Sequence, residues 1–275
     1  MDNPADKHKQ NISNIFNNAA GIYGTIGPDF FDYFGKRLVD HVNIQLGNSV
    51  LDIACGRGSS MFYAHEKIGN DGHITGIDIS PEMINLTGNE IILRGLQNIE
   101  VLQMDAEELK FNDESFDAVI SGFSLFFLPD LEKCLGEIKR VLKKDGVFVT
   151  STWGDRDARW KPLLDLMASF QQKVNPVSSI KTRALNSETE LKEQFLKAGF
   201  NKIEISLETK EFYYNNEEEW LKSLWSHGRR GMMEKMSDSD LEYFKKEAFN
   251  FLSTIKNDSE IPELFCVFIT KVFKD

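Results

Sequence analysis

Two aspartates and a run of small residues carry the first chemistry legible in this chain. The stretch VLDIACGRGSS begins as a short apolar strand through Val50, Leu51 and Ile53, with Asp52 inside it. It then turns through Ala54, Cys55, Gly56, Arg57 and Gly58 into a helical pattern, Ser59–Ile68. So little side chain in a strand-to-helix turn lets a ligand approach the backbone closely. About 20 residues past Gly58 stands Asp78, ending the apolar run Ile74–Ile77, and an acid at that spacing can hold a ribose. The pattern points to a nucleoside-cofactor site. A dinucleotide loop needs G-x-G-x-x-G, whereas the frames here read Ala54, Gly56, Ser59 or Gly56, Gly58, Met61. Neither fits, which weighs against a nicotinamide or flavin cofactor. Asp52 needs hydrogen bonds to offset burial in a strand, so it either organises the loop or touches the ligand.

The elements that must position these groups follow from periodicity. From Ser49 onward, strand and helix patterns alternate at βαβ spacing, which implies a parallel sheet. Strands are predicted at Ser49–Ile53, His73–Ile77, Ile99–Gln103, Phe116–Ser121 and Gly146–Thr152, with helices at Ser59–Ile68, Pro81–Arg94 and Leu131–Leu142. Ser80 and Pro81 supply an N-cap and a first-turn proline. After Trp153 the rhythm changes to a helix at Lys161–Val174, a loop at 175–186 and a capped helix at Ser187–Ala198. Strands at Lys202–Glu208 and Glu263–Phe273 bracket a charged helical insertion, 215–259. Ahead of the first strand, Met1–Gln10 reads as frayed and Ile12–Ala20 as a short helix. A glycine-rich connection around Tyr23 leads to an amphipathic helix carrying Phe30, Phe31, Phe34 and Leu38. These helices either complete the core or lie across the mouth of the cofactor site.

The block from about Ile15 to Trp153 resembles the class I S-adenosylmethionine-dependent methyltransferases, and is most similar to their ubiquinone/menaquinone-type small-molecule branch. Four motifs carry the resemblance in order: VLDIACGRG, GIDIS, MDAEELKF and FDAVISGFSLFFLPD. The chain departs from the pattern at Ala54, where the family usually has its first glycine. The resemblance implies an α/β, doubly wound Rossmann-like seven-stranded sheet, order 3-2-1-4-5-7-6 with the last strand antiparallel, carrying N-terminal helices and a helical cap insertion. It divides the chain into an N-terminal lid (1–48), a core (49–214), the cap (215–259) and a last core strand (260–275). It implies S-adenosylmethionine as cofactor, with S-adenosylhomocysteine as product. Asp52, Ala54, Cys55, Gly56 and Gly58 would form the loop under it, and Asp78 would accept its ribose hydroxyls, followed by Ile79. Met83 would pack on the adenine, Asp105 and Ala106 would flank the adenine edge, and Ser121 and Gly122 would end the strand bordering the donor. Tyr23 would close over it.

Methyl transfer from a sulfonium is an in-line displacement, so positioning and water exclusion carry most of the catalysis. A neutral hydroxyl or carbon acceptor needs a general base, and a carboxylate or phenolate does not. His227 is the first candidate base, with His41 and Tyr23 behind it. The acceptor pocket belongs at the carboxyl ends of the fourth and fifth strands, where Phe123, Phe126, Phe127 and Trp153 fall. Arg229 and Arg230 form a basic cluster in an acidic chain and are candidates for gripping an anionic acceptor. The expected activity is O-methylation of a carboxylate or phenolic oxygen on a small metabolite or peptide natural product. Two alternatives are C-methylation of a quinone-like ring and a non-methylating, cyclase-type descendant.

Composition limits the rest. At 275 residues and a net charge of −11, the chain has room for one large α/β domain and lacks the basic surface that nucleic-acid binding requires. Cys55, Cys134 and Cys266 make neither a disulfide framework nor a C-x-x-C pair, and no metal is expected. The opening residues lack the apolar core of a signal peptide, and no run of about 18 apolar residues suggests a membrane span. A cytoplasmic monomer or homodimer without membrane or nucleic-acid partners is expected.

Overall fold

Strand β1 (Ser49–Ile53) is buried from Val50 to Ile53, as an apolar strand covered on both faces must be. Around it the computed structural model, which describes residues 3–174 and 184–275, lays out six further strands. These are β2 (His73–Asp78), β3 (Ile99–Gln103), β4 (Phe116–Gly122), β5 (Leu142–Trp153), β6 (Lys202–Tyr214) and β7 (Ile261–Phe273). They form one sheet in the order β3-β2-β1-β4-β5-β7-β6. The pairs among β1 to β5 are parallel, and β7 runs antiparallel to both β5 and β6. This is the sheet order expected from the resemblance.

Helices cover both faces. On one, α2 (Phe30–Val42) and α3 (Met61–Ile68) bury Phe34, Leu38 and Met61 against the sheet. On the other, α5 (Leu131–Val141) and α7 (Glu188–Lys197) bury Leu135, Ile138 and Phe195. Helix α4 (Pro81–Leu93) begins as predicted, with Ser80 Oγ accepting from Met83 N and Pro81 in the first turn. The predicted loop 175–186 falls mostly outside the described residues.

The N-terminus departs from the expectation of a frayed segment. Helix α1 runs Pro4–Ala19, capped by the Asn3 side chain accepting from Ala5 N. Tertiary contacts hold it: His8 Nε2 lies 2.9 Å from the Phe127 carbonyl, and Ser13 Oγ donates to Ile79 O at 3.2 Å. The two N-terminal helices therefore divide the roles considered above. Helix α2 completes the core, and α1 lies across the carboxyl ends of the strands.

The second departure is the length of β6 and β7. The β5–β7 pairing ends at Trp153↔Val267, but β6 and β7 stay paired to Tyr214↔Ile261. Six further residues of β7, at about 3.4 Å each, make an arm that rises roughly 20 Å beyond the parallel strands. The run Thr209–Glu211 hid this extension, because polar residues occupy both faces before Phe212 and Tyr214 turn inward. Helices α6 (Lys161–Val174), α8 (Glu217–Ser223), α9 (Arg230–Met233) and α10 (Asp238–Ile255) pack on the arm around Trp160, Trp220 and Phe244. The apolar face of the insertion thus packs on α6 and the arm, not flat on the sheet. Among the described residues, no helix is long and apolar enough to cross a membrane.

Candidate active site

The turn after β1 is built for close approach. Ala54, Gly56 and Gly58 all take positive φ, at 55°, 51° and 84°. Cys55 N donates to Ile77 O and Gly58 N to Cys55 O, which folds the turn back over β2. Asp78, at the end of β2, accepts from Gly56 N at 2.9 Å and from Ser80 N at 2.8 Å. Burial outweighs these donors and holds its carboxyl up at about 6. Thr87 Oγ1 of α4 donates to Gly56 O at 2.7 Å and pins the loop from the other side.

A pocket opens between this loop and α1. Its lining brings together Tyr23, Ala54, Gly56, Asp78, Ile79, Met83, Asp105, Ala106, Gly122, Phe123 and Phe127 from the expected residues. Tyr23 stands over the glycine loop, its ring 3.7 Å from where a Cβ on Gly56 would sit. Burial and the neighbouring Asp78 push its phenol upward, so the hydroxyl stays protonated. Asp105 accepts from Glu107 N at 2.9 Å and meets Lys9 Nζ at 2.7 Å.

Four expected contacts do not line this pocket. Gly58 shapes the turn, and Cys55 points its thiol beneath it toward Gly76. Ser121 is buried and donates to Ile53 O at 2.9 Å. Asp52 is 1% exposed, and neither carboxylate oxygen has a hydrogen-bond partner among the described residues. Burial and Asp78 raise its pKa well above the usual carboxylate range.

A second cavity of about 780 Å³ adjoins the first and shares Ile12, Phe16, Tyr23, Phe123 and Phe127 with it. Phe126 and Trp153 line it as expected. Trp153 stacks on Phe123 at 4.3 Å between ring centroids, and Tyr23 stacks on Phe31 at 4.7 Å. His227 and Arg229 also line it, in the turn that leads into α9. His227 Nδ1 accepts from Arg229 N at 3.3 Å. Burial, with Arg229 and Arg156 close by, pushes His227 down to about 3, so the imidazole is neutral.

Arg230 and His41 are not part of either pocket. The Arg230 guanidinium turns to Glu234 Oε1 at 2.7 Å and to the Trp225 carbonyl, because α9 points successive side chains to different sides. His41 sits on the outer face of α2, paired with Glu208 at 2.9 Å.

Sequence reasoning missed Lys9, Phe16, Arg156, Tyr214 and Glu263. Only Glu263 left a signal, as a lone acid within the apolar run IPELFCVFIT. The others meet the site through the placement of α1 and the arm, which local pattern does not encode.

The sheet order, the glycine loop after β1 and the acids ending β2 and following β3 together define a Rossmann-like methyltransferase fold. Residues 44–219 match the family model for the methyltransferase domain, and the chain belongs to that family. It is 40% identical over 139 residues to aklanonic acid methyltransferase DauC of Streptomyces sp. (strain C5), covering 50% of this chain and 63% of that one. It is 37% identical over 132 residues to the nocamycin O-methyltransferase of Saccharothrix syringae, covering 48% of this chain and 47% of that one. The matches thus span between about half and two thirds of those relatives. The YcgJ protein of Bacillus subtilis superposes with a TM-score of 0.61 at 19% identity, over 88% of this chain and 98% of that one, a likeness of fold.

Proposed function

We propose that the protein is an S-adenosylmethionine-dependent O-methyltransferase whose acceptor is a carboxylate or phenolic oxygen of an aromatic small molecule. The observation that carries this reading is the continuity of the two cavities through Tyr23, Phe123 and Phe127. A donor held on the glycine loop would then face an acceptor held among aromatic rings. The names of two relatives, one for an acid and one for O-methylation, support the oxygen acceptor.

The smaller pocket suits the donor chemically. Asp78 offers acceptor oxygens for a ribose at a strand end, and Ile79, Met83 and Met104 offer apolar contacts for a purine. Two buried acids, Asp52 and Asp78, have no cationic partner among the described residues and stand beneath and beside the loop, which favours a ligand with cationic groups. Ala54, Gly56 and the Gly122–Phe123 turn would take the methionine part, with Tyr23 closing over it. When bound, the cofactor supplies a sulfonium methyl whose bond to sulfur breaks as the bond to the acceptor oxygen forms.

The chain's own contribution is placement and exclusion of water. Phe123 and Trp153 would hold the acceptor ring face-on, and Phe127 with α1 would seal the junction. A carboxylate or phenolate acceptor arrives ionised and needs no base. The neutral His227 suits that chemistry as a hydrogen-bond partner, since an imidazole held near 3 is a weak proton acceptor at neutral pH. The protonated Tyr23 serves as a lid contact.

Calorimetry with S-adenosylhomocysteine, followed by incubation of labelled S-adenosylmethionine with aromatic acids, phenols and quinols, tests the reading. Label on oxygen supports it. Label on ring carbon would redirect it to C-methylation, cofactor binding without transfer to a cyclase-type role, and preference for a nicotinamide cofactor would overturn it.

A further inference from the structure

The large cavity also holds a cluster of charges that the methyl-transfer chemistry does not use. Arg156 follows β5, Arg229 precedes α9, and Glu263 and Tyr214 are diagonal neighbours across the β6–β7 arm; all four line the cavity. Glu263 accepts from the Tyr214 hydroxyl at 3.1 Å and meets Arg156 only loosely, at 3.7 Å. Arg156 otherwise lies over the Trp153 ring at 5.3 Å. Among the described residues, neither guanidinium makes a side-chain hydrogen bond, although Arg229 is enclosed closely enough to push its pKa down to about 10. The enclosed Arg229 and Arg156, whose side chain is 39% exposed, thus face one carboxylate in a chamber lined mainly by aromatic and aliphatic side chains. Charge enclosed like that of Arg229 is costly unless an opposite charge pairs with it.

We propose that Arg229 and Arg156 bind a carboxylate of the aromatic acceptor in two-point geometry, and that Glu263 takes up a proton as this carboxylate arrives. The proposal rests on the methyltransferase reading for the word acceptor, but not for the anion site itself. The groups facing Glu263 are Arg156 and Asp157 from the β5 exit, Arg229 from the cap turn and Tyr214 from β6, with the neutral His227 lining the same cavity. Burial already holds Glu263 up at about 7 despite both arginines. A second carboxylate beside it favours the protonated form further, since like charges raise one another. Affinity for the anion therefore weakens as pH rises through about 7. A guanidinium pair with one neutral acid partner then holds the bound anion through charge-assisted hydrogen bonds.

Anthraquinone-2-carboxylate and its primary amide, equal in shape, are suitable probes. Each is titrated by calorimetry into protein saturated with S-adenosylhomocysteine, at pH 6 and pH 8, in buffers of different ionisation heat. The acid is expected to bind at least about tenfold more tightly than the amide, and to take up a proton at pH 8. Arg229→Gln should remove that preference. Glu263→Gln should abolish the proton uptake and tighten the acid at pH 8, a gain that damaged folding cannot produce. Equal affinities for acid and amide, no measurable binding of the acid, or unchanged proton uptake in Glu263→Gln would overturn the proposal. If S-adenosylhomocysteine itself fails to bind, the methyltransferase reading fails, and the same titrations on the cofactor-free protein still decide the anion site.

Discussion

Lys9 Nζ lies 2.7 Å from Asp105 Oδ2 and 2.5 Å from Glu107 Oε2, tying the first helix to the loop that borders the proposed adenine site. Asp105 thus lines the smaller pocket and pairs with α1 at once. Helix α1 also supplies Ile12 and Phe16 to the wall shared by both cavities. Helix α1 is therefore expected to shift as the cofactor enters past this wall.

Lys9→Ala should release that restraint. Stopped-flow fluorescence is expected to show S-adenosylhomocysteine binding and leaving faster, with affinity changed less than about tenfold. Stability should fall by about 1 kcal/mol, since the pair is partly buried. Unchanged rates would show that entry does not depend on α1.

Asp78 makes stability depend on pH in an uncommon direction. Burial holds its carboxyl at about 6, above the ordinary 3.8. Between those values the folded protein binds more protons than the unfolded chain, so stability falls as pH rises through the window, by on the order of 3 kcal/mol. Asp52, also raised by burial, acts in the same sense. Thermal denaturation of the cofactor-free protein at pH 5 and pH 8 should show about half of that loss, and Asp78→Asn should reduce it while weakening cofactor binding about 100-fold. An identical pH dependence in wild type and variant would contradict the assignment.

Ala54 holds φ at 55°, a conformation that costs a residue with a Cβ about 1–2 kcal/mol. Glycine would relieve it, less about 0.5–1 kcal/mol of added chain entropy. Ala54→Gly is therefore expected to raise stability by about 0.5 kcal/mol and to leave the calorimetric affinity for S-adenosylhomocysteine within about threefold. A loss of stability would mean that the alanine methyl makes a packing contact worth more than the strain.

His227 is held near 3, so it carries no charge across the neutral range. Turnover against pH should show no limb near 6.5, and His227→Ala should lower kcat by less than about tenfold. A limb that disappears in this variant would restore the histidine as a base.

Much of the geometry of the proposed donor side was legible in the sequence because it is local. Asp78 and the turn from Ala54 to Gly58 lie at fixed offsets from strands whose apolar runs announce them, and strand-to-helix turns repeat the same geometry wherever those offsets recur. The acceptor side was not local. Arg229 was singled out by charge, but so was Arg230, and only the turn into α9 sends one guanidinium into the cavity and the other to Glu234. Lys9 sat in a segment whose polar composition reads as frayed, and it is ordered by partners about a hundred positions away.

The sequence by itself determined the sheet, its strand order by resemblance, and the loop and acids that line the proposed donor pocket. Those depend on short-range periodicity and on spacing within single βα units. The tertiary structure alone decided that α1 covers the mouth, that the β6–β7 arm rises above the sheet, and that Arg156, Arg229 and Glu263 meet across the large cavity. These juxtapositions join residues far apart along the chain, from 34 positions between Arg229 and Glu263 to 119 between His8 and Phe127. Packing of the arm and the cap brings them together, and no local pattern of residue types records it.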